Sequence, residues 1–168
     1  TYTLRDALYT ASTLITFFKH SRTVGMANLA QLVNVLPLIK TSENNAFATA
    51  IFFPFVLFRQ MQPYLLHTQC SCETFNTNRI SINMNAHEKV PYLDELATIS
   101  EDGRCLSVVL VNRFPINQMK VHIRLEKATG VVKNALRITA ASPSSFNDST
   151  HPNRVHISDL TSIQKESD

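Results

Sequence analysis

Apolar residues near the N-terminus recur at the three- and four-residue spacing of a helix. They are Leu4, Leu8, Ala11, Leu14, Ile15 and Phe18. Thr3 is placed to cap this helix, with the carboxylate of Asp6 three residues later. Lys19 and His20 put basic side chains at the other end, where the helix dipole favours positive charge. The pattern therefore predicts a helix that ends near His20.

Two further apolar runs follow before residue 65. A short strand is predicted after Gly25, in the segment MANLAQLVNV (residues 26–35), and Pro37 limits its continuation. A helix is predicted for Ala46 to Met61, with Pro54 either kinking it or marking where it restarts. The first part of the chain is therefore predicted to be helix, strand, helix.

From about Pro91 the hydrophobic period changes to two, which is typical of strands. The strand-like runs are YLDELATI, CLSVVLVNR, MKVHIRLE, VKNALRITA and RVHISDLTSI. The connection Glu101–Arg104 predicts a hairpin, with Gly103 available for a positive φ. Short strands at such close intervals predict an antiparallel β-sandwich. The interval Gln62 to Val90 shows neither period and is predicted to be a linker.

The lone strand after Gly25 poses a structural problem. A strand flanked by apolar helices needs neighbouring strands to satisfy its backbone groups, and none is predicted beside it. We therefore expect this part of the chain to be the end of a larger parallel α/β sheet or barrel.

Composition narrows the class of protein. The chain has 168 residues, of which 44% are hydrophobic, so it can bury a core. A net charge of +3 without a basic cluster argues against nucleic acid as a partner. The longest apolar run, residues 46–58, falls short of the roughly 20 residues that cross a bilayer, so no membrane partner is expected. The chain opens on TYTLRD without a signal-peptide pattern, which fits a start within a longer protein.

The cysteines suggest neither a disulfide framework nor a metal site. Cys70, Cys72 and Cys105 cannot form a complete set of internal pairs. Cys70 and Cys72 lie near His67, but zinc sites usually use a longer spacer and a second pair of ligands. We expect no metal and no cofactor. Asn147–Ser149 fits the glycosylation triplet, which matters only in a secreted protein.

Three separated motifs resemble the α-L-arabinofuranosidases of glycoside hydrolase family 51. Residues 2–39 (YTLRDALYTASTLITFFKHSRTVGMANLAQLVNVLPLI) resemble the family's late barrel helix and eighth barrel strand. Residues 48–61 (ATAIFFPFVLFRQM) resemble its final barrel helix. Residues 90–115 (VPYLDELATISEDGRCLSVVLVNRFP), with Asn112 and Arg113 in the recurring Asn-Arg pattern, resemble the start of its C-terminal sandwich.

The resemblance implies an α+β fragment. Residues 1–65 would end a (β/α)₈ catalytic barrel, and residues 66–168 would form a linker and a jelly-roll-like antiparallel β-sandwich. It also implies a retaining hydrolase of terminal α-L-arabinofuranosyl groups in arabinan, arabinoxylan and related oligosaccharides, with one Glu as acid/base and another as nucleophile. Because these end the family's fourth and seventh strands, we expect both to precede Thr1. No catalytic residue is then expected in this chain, and the upstream barrel segment is its partner.

The amides of MANLAQLVNV raise a separate question, because a buried amide without a partner costs roughly 1–3 kcal/mol. In the resembling enzymes the Gln of the AQLVN motif lies in the sugar subsite, so Gln31 is the expected substrate contact. An amide both donates and accepts hydrogen bonds without adding charge beside carboxylates. The alternative is that Gln31 only ties down a loop. Asn28 and Asn34 are expected to hold strand and loop backbone around the subsite.

Two other functions stay open: a non-catalytic carbohydrate-binding sandwich and a structural or oligomerisation domain. Sugar-binding sandwiches usually stack sugars on aromatic side chains, and this chain has no Trp and few aromatics after Tyr92, which argues against the first. A homo-oligomer is compatible with the sequence. The sequence leaves the compartment open, and the resemblance implies a cytoplasmic protein for a bacterial source and an extracellular one for a fungal or plant source.

Overall fold

The computed structural model describes residues 1–126 and 128–164, which contain two α-helices and nine short strands. The helices are Leu4–Lys19 (α1) and Phe52–Phe58 (α2). The strands are Ile39–Thr41 (β1), Ala46–Ala48 (β2), Tyr64–Leu65 (β3), Thr74–Thr77 (β4), His87–Pro91 (β5), Leu93–Ile99 (β6), Leu106–Asn112 (β7), Leu136–Thr139 (β8) and His156–Asp159 (β9). The described part is therefore a small α+β structure, as predicted at that level.

The paired strands are antiparallel. β1 pairs with β2, β4 with β5, and β8 with β9, while β3, β6 and β7 form one sheet in that order. The chain divides into two compact units: unit 1 is residues 1–7, 29–54 and 120–168, and unit 2 is residues 8–28 and 55–119. The predicted domain division between residues 65 and 66 stays a prediction about the complete protein. Residues 165–168 of its second part lie outside the described residues.

Helix α1 forms as its sequence pattern predicts. Thr3 donates from its backbone N–H and from its hydroxyl to the carboxylate of Asp6, each at 2.7 Å. The N–H groups of Leu4 and Arg5 donate to carbonyls in the loop 143–145, at 2.9 and 3.0 Å. These bonds satisfy donors that the first turn of a helix leaves without an intrahelical partner. The helix also ends at the predicted place.

The second predicted helix is wrong in its extent. Ala46–Ala48 form β2 and pair with β1, so that the helix covers only Phe52–Phe58. Pro54 lies in the first turn of α2, where the missing N–H of a proline removes no helical hydrogen bond. The proline therefore marks where the helix starts. Thr49 lies between strand and helix, and its hydroxyl donates to the Pro37 carbonyl at 2.8 Å.

The strand predicted for residues 26–35 is wrong, because the structure describes no strand between residues 24 and 38. Backbone groups here pair locally instead. The N–H of Ile39 donates to the Leu32 carbonyl at 3.1 Å, and the N–H of Asn34 donates to the Ile39 carbonyl at 3.2 Å. These two bonds form one isolated parallel bridge between Val33 and Ile39, which is too short to make the run a strand.

The hairpin predicted after Pro91 is confirmed. β6 and β7 pair along their whole lengths, and Gly103 in the connection has a φ of 70°. This is the left-handed conformation that glycine adopts without steric cost. The runs VKNALRITA and RVHISDLTSI shorten to β8 and β9. MKVHIRLE (residues 119–126) forms no strand in the described chain, and Lys127 after it lies outside the described residues.

The interval Gln62 to Val90, predicted to be a linker, contains β3, β4 and most of β5. β4 and β5 pair with a register shift between Phe75 and Thr77. At this shift the side-chain oxygen of Asn76 accepts the N–H of Lys89 at 2.9 Å, and Lys89 has a φ of 54°. Strands this short and irregular contain too few residues to show a hydrophobic period. The hydrophobic pattern therefore did not predict them.

Each unit has its own core. In unit 2, the core is formed by one face of α1, by Phe58 of α2 and by Leu96 and Val111 of the β6–β7 pair. The α1 side chains in this core are Ala11, Leu14, Ile15 and Phe18. The ring centroids of Phe18 and Phe58 lie 5.7 Å apart. The smaller core of unit 1 forms around three side chains: Ala7, Ala50 and Val155. The amphipathic face of α1 that the sequence predicts is therefore used for packing.

A buried asparagine, Asn147, holds the chain segments of unit 1 together. Its side chain is 4% exposed. Its Nδ2 donates to the Ala48 carbonyl at 3.0 Å and to the Val155 carbonyl at 2.9 Å, while its Oδ1 accepts the Val155 N–H at 2.7 Å. Both amide hydrogens are thus engaged. The nitrogen that glycosylation of the triplet would modify is not accessible in the folded protein.

We expect Asn147→Ala to lower the free energy of unfolding by on the order of 3 kcal/mol, because backbone groups of Ala48 and Val155 lose their partners. Urea unfolding followed by circular dichroism measures this change. Asn153→Ala removes an exposed amide from the same loop and should change the value by less than about 0.5 kcal/mol. Equal losses in both variants would contradict the role of Asn147.

Candidate functional site

The residues predicted to contact substrate lie in an exposed loop. Asn28, Gln31 and Asn34 are all exposed, and so are the neighbouring apolar side chains of Leu32 (56%) and Val35 (68%). The premise that these amides are buried in an apolar strand is therefore wrong for this structure. Asn28 lies where the structure describes no regular element, and its role stays a prediction.

Asn34 fixes the end of this loop. Its φ is 69°, a left-handed conformation that asparagine tolerates better than most residues. Its side-chain amide donates to the Thr41 hydroxyl at 2.6 Å, and its Oδ1 accepts the Thr41 N–H at 2.8 Å. Asn34 thus holds backbone of β1. Its expected position beside a sugar subsite stays a prediction.

The β1–β2 hairpin carries the loop. The N–H of Ile39 donates to Leu32, and the carbonyl of Ile39 accepts from Asn34, both at the end of the loop. Ile39 also pairs with Ala48 of β2. The Ala48 carbonyl in turn accepts a hydrogen bond from buried Asn147. Gln31 directly precedes the segment that is tied in this way to the core of unit 1. Its amide is a neutral group that can donate and accept hydrogen bonds, as a sugar hydroxyl requires.

A second group of polar side chains lies in unit 2 around Lys19. The Nζ of Lys19 lies 3.1 Å from Glu95 Oε2 and 3.7 Å from Asp94 Oδ1. Arg113 Nη1 lies 3.9 Å from Asp94 Oδ2, and the Thr68 hydroxyl donates to Glu95 Oε1 at 2.7 Å. Two adjacent carboxylates of β6 therefore share cationic partners. The pattern YLDELATI contains the signal for this network, because two acids within a buried strand need partners.

The surroundings of Glu95 keep its carboxylate ionised. Partial burial by itself would raise the pKa of Glu95, but hydrogen bonds from Thr68 and Lys19 and the charge of Lys19 outweigh burial and lower the pKa below its usual value. A general acid that works near neutral pH needs a raised pKa. Glu95 is tuned in the opposite direction, as a member of a structural ion pair.

A shallow groove of about 580 Å³ lies in unit 1. Its lining is Thr139, Ala140, Ala141, Ser142, Ser144, Ser145, Phe146, Arg154 and His156. The guanidinium of Arg154 lies 6.0 Å from the centre of the Phe146 ring and 3.1 Å from Asp148. The Thr150 hydroxyl is the main cause that lowers the pKa of Asp148 to about 2. From the sequence, only the Asn147–Ser149 triplet in this segment was noted.

Within residues 1–126 and 128–164, no group of three or more His, Cys, Asp or Glu side chains could hold a metal ion. In the same ranges, no helix is long and apolar enough to cross a membrane. The three cysteines are free thiols.

Comparison with known proteins gives one family and a consistent set of relatives. The family model described as the alpha-L-arabinofuranosidase C-terminal domain matches residues 1–168. Among curated proteins, the chain is 33% identical over 147 residues to a probable alpha-L-arabinofuranosidase C of Aspergillus fumigatus, covering 87% of this chain and 28% of that protein. It is 30% identical to an intracellular exo-alpha-(1->5)-L-arabinofuranosidase 1 of Bacillus subtilis, covering 74% and 24%. The chain therefore spans about a quarter of the length of these relatives.

Solved structures give the same picture. The chain is similar to the thermostable GH51 alpha-L-arabinofuranosidase of Thermotoga petrophila, with a TM-score of 0.85 and 32% identity, covering 95% of this chain and 34% of that one. It is also similar to an arabinose complex of the Thermotoga maritima alpha-L-arabinofuranosidase, with a TM-score of 0.80 and 31% identity, covering 94% and 33%. In each case the matching region is about a third of the solved chain.

The lowered pKa of Glu95 predicts acid-sensitive folding. The unfolded chain protonates Glu95 near its ordinary value of 4.5, so the ion pair stabilises the folded state fully above that pH. This contribution is lost as the pH falls through the lower pKa of the folded state. We expect the free energy of unfolding to fall less steeply between about pH 5 and about pH 3 in Lys19→Met than in the unsubstituted chain.

The control for this measurement is Lys133→Met, which removes an exposed lysine of unit 1 and should keep the original pH slope. Titrations by urea unfolding at each pH give the three slopes. If Lys19→Met and Lys133→Met have the same slope as the unsubstituted chain, Lys19 does not stabilise the ionised form of Glu95.

Proposed function

The chain belongs to the family of α-L-arabinofuranosidase C-terminal domains, and from this membership we propose that it is the C-terminal part of an α-L-arabinofuranosidase. The proposed enzyme hydrolyses terminal α-L-arabinofuranosyl residues of arabinan- and arabinoxylan-type polysaccharides and oligosaccharides, with retention of configuration. The observation that carries the proposal is the similarity to the Thermotoga petrophila enzyme, which extends over 95% of this chain at a TM-score of 0.85.

In this proposal, residues 1–65 end a (β/α)₈ barrel, and residues 66–168 form a linker and a β-sandwich. The exposed apolar loop supports the first half of this division. Leu32, Val35 and Leu36 are each more than half exposed. Clustered apolar exposure of this kind usually marks a surface that another part of a protein covers. The upstream barrel segment of the same enzyme is the proposed cover.

The reaction in this proposal uses two Glu residues of the upstream segment, about 5–5.5 Å apart. One protonates the leaving oxygen while the other attacks the anomeric carbon and forms a covalent arabinofuranosyl intermediate. The first Glu then acts as base and activates the water that hydrolyses the intermediate. This chain contributes Gln31, whose amide bonds a hydroxyl of the arabinofuranosyl group. Asn28 and Asn34 shape the loop around it.

Non-catalytic carbohydrate binding is the second candidate function, and the groove of unit 1 is the observation that favours it. Serine and threonine hydroxyls, a guanidinium and an aromatic ring line this groove, and such groups suit polyol ligands. A binding role of this kind needs no barrel. It predicts that residues 1–168 alone bind arabino-oligosaccharides and that Ser144→Trp, which fills the groove, abolishes binding.

We expect residues 1–168 alone to show no hydrolysis of an aryl α-L-arabinofuranoside, because the acid/base and the nucleophile lie outside this chain. A chimera in which this chain replaces the matching third of the Thermotoga petrophila enzyme should hydrolyse the same substrate. Turnover by the isolated chain that Glu95→Gln or another internal carboxylate substitution abolishes would overturn the proposal. So would an inactive chimera that folds as stably as its parent.

In the active chimera, Gln31→Ala should lower kcat/KM roughly tenfold to a hundredfold, because a sugar hydroxyl loses its partner at a cost on the order of 1–3 kcal/mol. Gln118→Ala removes an exposed amide elsewhere and should leave kcat/KM unchanged. Thermal unfolding of each variant is measured in parallel. A Gln31→Ala chimera with full kcat/KM and a lower Tm would make the amide structural, which is the alternative stated above.

A further inference from the structure

Two cysteines lie two positions apart in unit 2, where neither the fold nor the proposed reaction uses them. Cys70 is exposed and Cys72 is half-buried, and both are free. They are separated by one residue, Ser71, in a segment that belongs to no helix or strand. We propose that Cys70 and Cys72 form a thiol–disulfide exchange site, which low-molecular-weight disulfides such as glutathione disulfide oxidise to an intrachain bond.

The backbone geometry permits this bond. Residues separated by one position cannot have Cα atoms more than about 7.2 Å apart. Disulfides join residues whose Cα atoms are usually about 4.4–6.8 Å apart. Residues 66–73 belong to no helix or strand, so closure breaks no ladder.

The segment that contains the two thiols is anchored on both sides. Before them, the N–H of Leu66 donates to a carbonyl of β6 at 2.9 Å, and the Thr68 hydroxyl donates to Glu95 at 2.7 Å. After them, the Glu73 carbonyl accepts the N–H of Tyr92 at 3.0 Å. These bonds limit how far the thiols can separate. A thiol held close to a mixed disulfide reacts with it at a high effective concentration.

The surroundings of Cys70 disfavour its thiolate. Burial, the neighbouring Cys72 thiol and the Glu95 carboxylate raise the pKa of the Cys70 thiol, against a smaller opposite effect of Lys19. Because the thiolate is the attacking species, closure through Cys70 should become faster as the pH rises.

The oxidation balances in two exchange steps. The Cys72 thiolate attacks one sulfur of glutathione disulfide, which forms a mixed disulfide on Cys72 and releases one glutathione. The Cys70 thiolate then attacks the Cys72 sulfur, which forms the intrachain bond and releases the second glutathione. The protons of the two protein thiols pass to the two released thiolates. Two cysteine thiols are oxidised to one disulfide, and one glutathione disulfide is reduced to two thiols.

The pair is better suited to this exchange than to metal binding. Structural zinc takes four ligands, of which two thiols supply only half. In residues 1–126 and 128–164 no third ligand of the usual kind completes a metal site with them.

The test is to treat the full chain with excess glutathione disulfide at low protein concentration and to measure the mass of the intact chain and of its unreduced peptides. Cys105→Ser removes the third thiol and should still lose about 2 Da, with Cys70 and Cys72 joined within one peptide. Cys70→Ser and Cys72→Ser, each made in the Cys105→Ser chain, should instead retain a glutathione adduct on the remaining thiol. Circular dichroism of each variant checks that it is folded.

Three results would overturn the proposal. One is stable glutathione adducts on both Cys70 and Cys72 of the Cys105→Ser chain. Another is disulfide-linked dimers in place of the intrachain bond. The third is closure that is as fast in guanidinium chloride as in the folded chain, because the anchors around the pair would then contribute nothing. None of these results depends on arabinofuranosidase activity, so the exchange site and the proposed function fail independently.

Discussion

The side chain of Asn147 makes three hydrogen bonds in the core of unit 1. Through β2 and β1, these bonds fix the segment that follows the candidate substrate contact, Gln31. One of these bonds holds the Ala48 carbonyl of β2, and Ala48 pairs with Ile39 of β1. Ile39 in turn bonds both Leu32 and Asn34, next to Gln31. The bonds of Asn147 to Val155 persist because leaving a buried backbone group unpaired costs more than the net gain of an ordinary hydrogen bond.

In unit 2, ion pairs hold separate chain segments together. Lys19, at the end of α1, meets two adjacent carboxylates of β6, and Thr68 completes the hydrogen bonds of Glu95. Removing one member of such a network leaves its partners poorly compensated, which ties the helix end to the strand. Asp94 and Glu95 are thus engaged in ion pairs that stabilise the fold. The proposed chemistry instead needs a carboxyl group with a raised pKa, and Glu95 does not provide one.

Local signals predicted the elements that depend on local interactions. Thr3 and Asp6 indicated the start of α1, and Gly103 indicated the turn between β6 and β7. The errors arose where the outcome depends on distant contacts. Ala46–Ala48 continue a helical pattern in sequence, but their pairing with β1 makes them a strand. An apolar run predicted to be a strand became a loop, because in the described residues it meets a strand only at the isolated bridge between Val33 and Ile39.

The sequence motif identified the candidate residue, but it did not predict how exposed that residue and its neighbours are. The resemblance of AQLVN to a sugar-binding segment singled out Gln31, whereas the burial expected from its apolar neighbours is absent because those neighbours are themselves exposed. Asn147 was visible in sequence only as part of a glycosylation triplet. Its actual role depends on Ala48 and Val155, and no pattern along the chain reports such contacts.

Hydrogen–deuterium exchange of residues 26–36 tests most directly whether the upstream barrel segment covers the loop that contains Gln31. Exchange would be followed in residues 1–168 alone and in the active chimera with the barrel segment. We predict fast exchange of these amides in the isolated chain and clear protection in the chimera, while the amides of β6 exchange equally slowly in both. Equal exchange of residues 26–36 in the two proteins would contradict the view that the upstream barrel covers this loop.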